Sequence, residues 1–239
     1  EESPSVAVTP EIRKAMGEAA ARLVDAASYT NAGTLEFLLD ASGQFYFMEV
    51  NTRLQVEHPV TEMVTGIDFV EQQLRIASGE RLAMSQEEVA IPKGHAIECR
   101  ICAEDVFNDF LPDTGTVKFL RTPSGDGIRN DSACYEGYEV TVHYDPMVAK
   151  LIVSAPDRTT CIDQTINALN NYHLAGFRTT IPFCRLVLDS QPFRSGDYST
   201  FFVKEHWPIA IPAVERDMLD ILAAAGFALE TERRTTLQS

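Results

Sequence analysis

Gly33-Thr34-Leu35-Glu36-Phe37-Leu38-Leu39-Asp40 and Gln44-Phe45-Tyr46-Phe47-Met48-Glu49-Val50 are two strand-like runs separated by Ala41-Ser42-Gly43. Apolar and aromatic residues fill both runs and turn formers lie between them, which predicts an antiparallel hairpin. A four-residue loop, Ala41 to Gln44, would set Asp40 opposite Phe45 and Glu36 directly opposite Glu49. Facing carboxylates repel, and partial burial among Leu35, Phe37, Leu38, Phe47 and Met48 raises that cost. A bridging cation removes the conflict. Magnesium typically takes one or two protein carboxylates and completes its shell with water and phosphate oxygens. Asn51, two residues beyond Glu49, falls on the same face and adds a carbonyl oxygen. A solvated face carrying both glutamates is the alternative reading.

Downstream lies Arg53-Leu54-Gln55-Val56-Glu57-His58-Pro59. In an extended backbone Arg53, Gln55 and Glu57 project to one side. A guanidinium and an amide there hold a small planar oxyanion, for which the rigid fork of arginine is suited. A buried Glu57 would serve as a base. A solvated loop with one surface ion pair is the competing possibility.

Upstream, Thr9-Pro10-Glu11 starts a helix whose apolar stripe, from Ile12 to Ala27, recurs at helical spacing. Asp68 and Glu71 form a capping-box pattern for a second helix that stops before Gly79, and Ser85 and Glu88 repeat it for a short one ended by Pro92. Beyond Pro92 the character changes. His95–Ala103, Thr114–Leu120, Ile128–Tyr135, Glu139–Tyr144 and Met147–Ser154 are short strand candidates. Asp157 then caps a helix with Ile162, Thr165, Ile166 and Leu169 on one face. Helices over Phe183–Leu188 and about Ser199–His206 follow. The expected division is 1–92, 93–209, and a helical tail 210–239 that frays from Glu230.

The 239 residues are 45% apolar, enough for a sizeable core, and the net charge of −15 disfavours a partner held through nucleic-acid phosphates. The longest apolar stretch, Ile221–Leu229, is far below the roughly 20 residues of a membrane helix, so no membrane span is expected. Five cysteines in a chain of this size fit a reducing, intracellular setting. Glu1-Glu2-Ser3-Pro4 is acidic and polar, unlike a secretory leader, and without a Met it reads as the interior of a longer protein. Cys99 and Cys102 have C-x-x-C spacing, but three positions apart on a strand they face opposite sides, which argues against a shared metal. His58 is expected to orient the loop and Asp145 to anchor an interface or ion pair.

The sixteen residues from Phe47 to Glu62 closely resemble the signature of biotin carboxylases, the ATP-grasp ligase component of biotin-dependent carboxylases. Gly33–Phe37, Glu71–Ala77, His95–Glu104 and Tyr144–Leu151 extend the likeness over about Thr9 to His206. The resemblance implies an α+β fold: the C-terminal part of an ATP-grasp domain, then the family's C-terminal domain of antiparallel strands and helices. It implies Glu36, Glu49 and Asn51 as ligands of Mg²⁺ or Mn²⁺ against the ATP phosphates. It also implies Arg53, Gln55 and the Val56 backbone as bicarbonate contacts, with Arg53 steadying charge on biotin. Glu57 becomes the base that deprotonates bicarbonate, and Arg100 grips the carboxyphosphate phosphate and the biotin ring. The implied reaction is ATP-dependent carboxylation of carrier-bound biotin through carboxyphosphate.

The partners so implied are a biotin carboxyl carrier protein or domain, a carboxyltransferase component and a second copy of the chain, in the cytoplasm or the mitochondrial matrix. The family's glycine-rich ATP lid has no counterpart in this sequence, and Ser124-Gly125-Asp126-Gly127 reads as a plain turn. The chain alone is therefore expected to be inactive. Two alternatives stay open: a non-catalytic folding or dimerisation module, and another ATP-grasp carboxylate–amine ligase.

Overall fold

The structure, a computed structural model, describes residues 1–89 and 91–207. The helix and tail predicted for 210–239 lie outside these. Along the chain come β1 (Glu2–Ser3), α1 (Pro10–Ala26), β2 (Thr34–Leu39), β3 (Phe45–Asn51), α2 (His58–Thr65), α3 (Phe69–Ala77) and α4 (Gln86–Val89). Then follow β4 (His95–Cys102), β5 (Glu104–Asp105), β6 (Leu111–Pro112), β7 (Gly115–Thr116), β8 (Phe119–Arg121), β9 (Ile128–Ser132), β10 (Glu139–Val140) and β11 (Met147–Ala155). The series ends with α5 (Arg158–Asn170), β12 (His173–Ala175), α6 (Ile181–Asp189), α7 (Gln191–Ser195) and α8 (Phe202–His206). Glu1–Asp197 form one compact unit. The unit that begins at Tyr198 contains α8, where Tyr198 packs edge-on against Phe202 at 6.5 Å. Mixed helices and antiparallel strands make the chain α+β, as expected.

Local chemistry explains the helix starts. Thr9 Oγ1 accepts from Ile12 N, Asp68 Oδ1 from Glu71 N and Asp157 Oδ1 from Thr160 N, each satisfying an orphan donor of the first turn. Ser85 and Glu88 complete a reciprocal capping box, the Glu88 carboxylate accepting from Ser85 N at 2.6 Å. At residue 71 the box is only half made, because the Glu71 carboxylate turns to Arg75 instead.

The principal sheet has the order β1-β4-β11-β9, antiparallel throughout. On one face Ile97, Cys99, Ile101, Leu151 and Val153 pack with Cys161, Ile162, Ala168 and Leu169 of α5. Burying each such aliphatic side chain contributes about 1.5–3 kcal/mol, so this face is the core of the molecule. The other face meets α2: Ala96 and Ile152 pack against Val60 and Val64.

Three expectations need correction. Residues 58–65 form α2, so the extended backbone considered for Arg53–Pro59 cannot run beyond Glu57. Pro59 in the first turn and Gly66 in the left-handed conformation (φ 75°) are the start and stop signals. Thr114–Leu120 and Glu139–Tyr144 are not continuous strands but the short pieces β7, β8 and β10, and β5–β6 form a further small hairpin.

The third correction concerns the β2–β3 hairpin. Its loop takes in Asp40, so Leu39, not Asp40, pairs with Phe45. Asp40 Oδ1 accepts from Ser42 N, Ser42 Oγ and Gln44 N, which draws Asp40 out of the strand. A bulge at Met48, between the Phe37–Phe47 and Glu36–Glu49 pairs, restores the offset. Glu36 therefore faces Glu49 as expected, by a different route. Leu38, Tyr46, Phe47, Met48 and Val50 of this hairpin are exposed, and α1 buries none of its residues.

Candidate active site

Beyond the bulge, Glu36 and Glu49 occupy one face of the hairpin together with Asn51. Asn51 Nδ2 donates to Glu36 Oε1 at 2.8 Å and to Glu49 Oε1 at 3.2 Å, so a single amide bridges both carboxylates. Gln55 Nε2 donates to the same Glu36 oxygen at 3.3 Å, and Gln55 Oε1 accepts from Arg53 Nη1 at 2.8 Å. The result is one continuous chain of contacts, Arg53–Gln55–Glu36–Asn51–Glu49. It joins the two carboxylates expected to hold a cation to the arginine and amide expected to hold an anion. Two carboxylates and an amide suit magnesium, which leaves most of its shell to water and phosphate. Among the described residues no group of three or more His, Cys, Asp or Glu gathers as a metal cluster.

Arg53, Gln55 and Glu57 line one cavity of about 530 Å³, together with Thr34, Phe69 and Ile76. They reach it differently from the extended-strand expectation. Glu57 is the residue that caps α2, with φ −83° and ψ 7°, and its side chain makes no capping bond. Its carboxylate points instead to Arg100, whose Nη2 lies 3.1 Å from Glu57 Oε2 and 2.7 Å from Glu1 Oε1.

The sheet face beneath α2 governs this loop. Arg100 on β4, Lys150 on β11 and Arg129 on β9 stand on neighbouring strands, and each sends its cation to the segment 56–62. Arg100 meets the Glu57 carboxylate, Lys150 Nζ donates to the Val56 carbonyl at 2.9 Å, and Arg129 Nη1 donates to Glu62 Oε2 at 2.6 Å. Glu62 is buried and also accepts from Phe69 N, which fixes the start of α3. Asp131 forks onto Arg129, and with Lys150 nearby its carboxyl is held below its usual range, although burial opposes this. His58 Nδ1 lies 2.7 Å from the Gln55 carbonyl, so His58 does orient the loop as expected. Asp145 forms a turn, accepting from Met147 N.

Lys150 and Arg129 received no role from the sequence. Lys150 left a signal: it is the lone charge in Met147–Ala155, an otherwise apolar central strand. Glu98 shares the face with Arg100 and Lys150, is 2% exposed, and neither carboxylate oxygen has a hydrogen-bond partner. Burial pushes its carboxyl up to about 7, with Glu1 raising it further and Lys150, the chain's amino group and Arg100 pulling down. Cys99 lies buried in the core against the Cys184 thiol, and burial pushes Cys102 up to about 12; all five cysteines are free thiols. No helix among the described residues is long and apolar enough to cross a membrane.

Known proteins resemble this chain over most of its length. Residues 98–205 match the family "Biotin carboxylase C-terminal domain", and residues 1–85 match "Carbamoyl-phosphate synthase L chain, ATP binding domain". A biotin carboxylase of Nostoc sp. is 50% identical over 205 residues, covering 86% of this chain and 46% of the relative. The 2-oxoglutarate carboxylase small subunit of Hydrogenobacter thermophilus is 44% identical over 221 residues, covering 92% of this chain and 47% of the relative. Among solved structures, the biotin carboxylase domain of a thermophilic 2-oxoglutarate carboxylase bound to bicarbonate superposes with a TM-score of 0.84 at 45% identity, covering 86% of this chain and 46% of that one. The chain thus spans about half the length of the curated relatives it matches.

Proposed function

We propose that this chain, which belongs to the biotin carboxylase family, supplies the metal- and bicarbonate-binding part of a ligase that carboxylates biotin at the expense of ATP. The observation that carries this reading is the unbroken contact chain from Arg53 through Gln55 and Glu36 to Asn51 and Glu49. It supports an anion site and a cation site side by side, as a reaction between bicarbonate and a metal-bound triphosphate requires.

Glu36, Glu49 and Asn51 would hold Mg²⁺ or Mn²⁺, which when bound neutralises phosphate charge. Arg53 and Gln55, which line the cavity, orient bicarbonate together with the Val56 N–H of the loop beside it. Glu57 takes the bicarbonate hydroxyl proton onto its carboxylate as the deprotonated oxygen attacks the γ-phosphorus and the bond to the ADP oxygen breaks. Arg100 then faces the phosphate of carboxyphosphate, and Arg53 the negative charge that develops on the biotin ureido oxygen. Fixed positive charges in a cavity that needs no reorganisation supply most of the acceleration.

On this reading the chain divides near residue 92. Its partners are a biotin carboxyl carrier protein or domain, a carboxyltransferase component and a second copy of the chain, in the cytoplasm or the mitochondrial matrix. The test is bicarbonate-dependent ATP hydrolysis with free biotin, run on this chain with and without the N-terminal half of the same protein. Hydrolysis restored only by the added half is the expected result. Its absence from the completed protein would overturn the reading in favour of a non-catalytic folding or dimerisation module.

A further inference from the structure

A trans peptide unit points its C=O and its N–H in opposite directions. Whatever fixes the carbonyl of Val56 therefore fixes the N–H of Glu57. Lys150 Nζ holds that carbonyl at 2.9 Å from the sheet side. Glu57 lines the cavity and Val56 does not. The Glu57 N–H donates to no described residue, since the first helical bond of α2 belongs to later positions. The carbonyl of Gln55, one peptide earlier, is engaged separately by His58 Nδ1 at 2.7 Å.

Lys150 is well placed for the task. Its side chain is only 12% exposed, and Asp131, 3.7 Å away, balances part of its charge. Register pairing sets it directly beside Arg100 on one flank and Asp131 on the other. The same two strands therefore hold Glu57 twice, by its carboxylate through Arg100 and by its backbone through Lys150.

We infer that Lys150 is a positioning residue of the bicarbonate site: it locks the Val56–Glu57 peptide so that the Glu57 N–H faces the cavity as a donor to the bound anion. This rests on the function proposed above. A lysine that served only to dock the loop on the sheet would alter stability, not the response of one amide to an anion.

The test is a titration of the ¹⁵N-labelled chain with sodium bicarbonate at fixed pH and ionic strength, reading the Glu57 amide resonance. In the wild-type chain this resonance moves saturably. In Lys150→Met the apparent affinity falls by about tenfold or more, the order expected when a charge-assisted donor is lost. Lys150→Arg restores it, because a guanidinium can donate to the same carbonyl. An unchanged titration in Lys150→Met overturns the inference. Should that variant not fold, the wild-type chain decides: its Glu57 amide exchanges freely with solvent before bicarbonate is added and is protected afterwards, and protection throughout overturns the inference. In the completed enzyme the same substitution raises KM for bicarbonate and leaves KM for ATP in place. Absent ATP hydrolysis by the wild-type completed enzyme would sink the proposed function and leave the amide result standing.

Discussion

Arg100 and Glu57, 43 positions apart in the chain, meet with Nη2 3.1 Å from Oε2. Helix caps are usually Ser, Thr, Asp or Asn, whose short side chains accept from the free N–H groups of the first turn, and Glu57 makes no such bond. Pro59 removes one of those donors, and the Glu57 carboxylate is turned out to the cavity and to a cation on β4. A carboxylate so placed is open to the cavity, as the proposed base requires, and a phosphate entering beside it would exchange one of the carboxylate partners of Arg100 for a phosphoryl oxygen.

Glu57→Gln keeps the shape and the hydrogen bond to Arg100 and removes the proton acceptor. In the completed enzyme it should lower bicarbonate-dependent ATP cleavage by about 10²–10⁴-fold, the usual worth of a general base. Steady-state kinetics with varied bicarbonate read the effect, and near-normal turnover would remove Glu57 from the chemistry.

Arg53→Ala should cut biotin carboxylation by about 10²–10³-fold, as for loss of one preorganised donor. ATP binding should change far less, because Arg53 contacts Gln55 and the anion side of the cavity. Comparing carboxylation rate with calorimetric Mg-ATP binding separates the two.

The hairpin acids and the 47–62 run were readable from spacing and motif, and so were the caps at Thr9, Asp68, Ser85 and Asp157. The Asp40 turn was not, since three hydrogen bonds to one carboxylate oxygen outweigh the strand propensity of its neighbours. Nor was α2: an eight-residue helix with a proline at its second position and a glycine just after it gives too short a window for a helical period to declare itself. The cations at 100, 129 and 150 became a set only when β4, β11 and β9 were brought together, because strand order is a long-range property.

Arg129→Met would strand the buried Glu62 carboxylate, which has its 2.6 Å contact with Nη1 and a bond from Phe69 N. Arg129 is itself partly exposed, which screens the pair. The expected loss of stability is therefore about 1–3 kcal/mol, below that of a fully buried pair. Urea denaturation should show a lower midpoint with an unchanged slope.

Glu98 makes stability depend on pH. Its folded value of about 7 lies above the ordinary 4.5. Between the two the folded chain binds more protons than the unfolded one, so stability falls as pH rises through this window and levels off above it. Glu98→Gln mimics the protonated acid. It should match the wild type below about pH 5 and exceed it above about pH 8 by about 1–2 kcal/mol after allowance for screening. Thermal midpoints at the two extremes test this, and a variant without advantage at high pH would contradict it.

Glu2 on β1 reaches His95 and Arg158, which follow it by 93 and 156 positions. At about 5–20 residues per second, β1 is synthesised roughly 8–30 s before Arg158. The edge of the principal sheet therefore closes late, after the hairpin and α1 have long been outside the tunnel. High contact order of this kind slows folding and prolongs the exposure of unfinished strands to other nascent chains. Chaperone dependence in cells should accordingly be set by this N-terminal edge rather than by the locally closed β2–β3 hairpin.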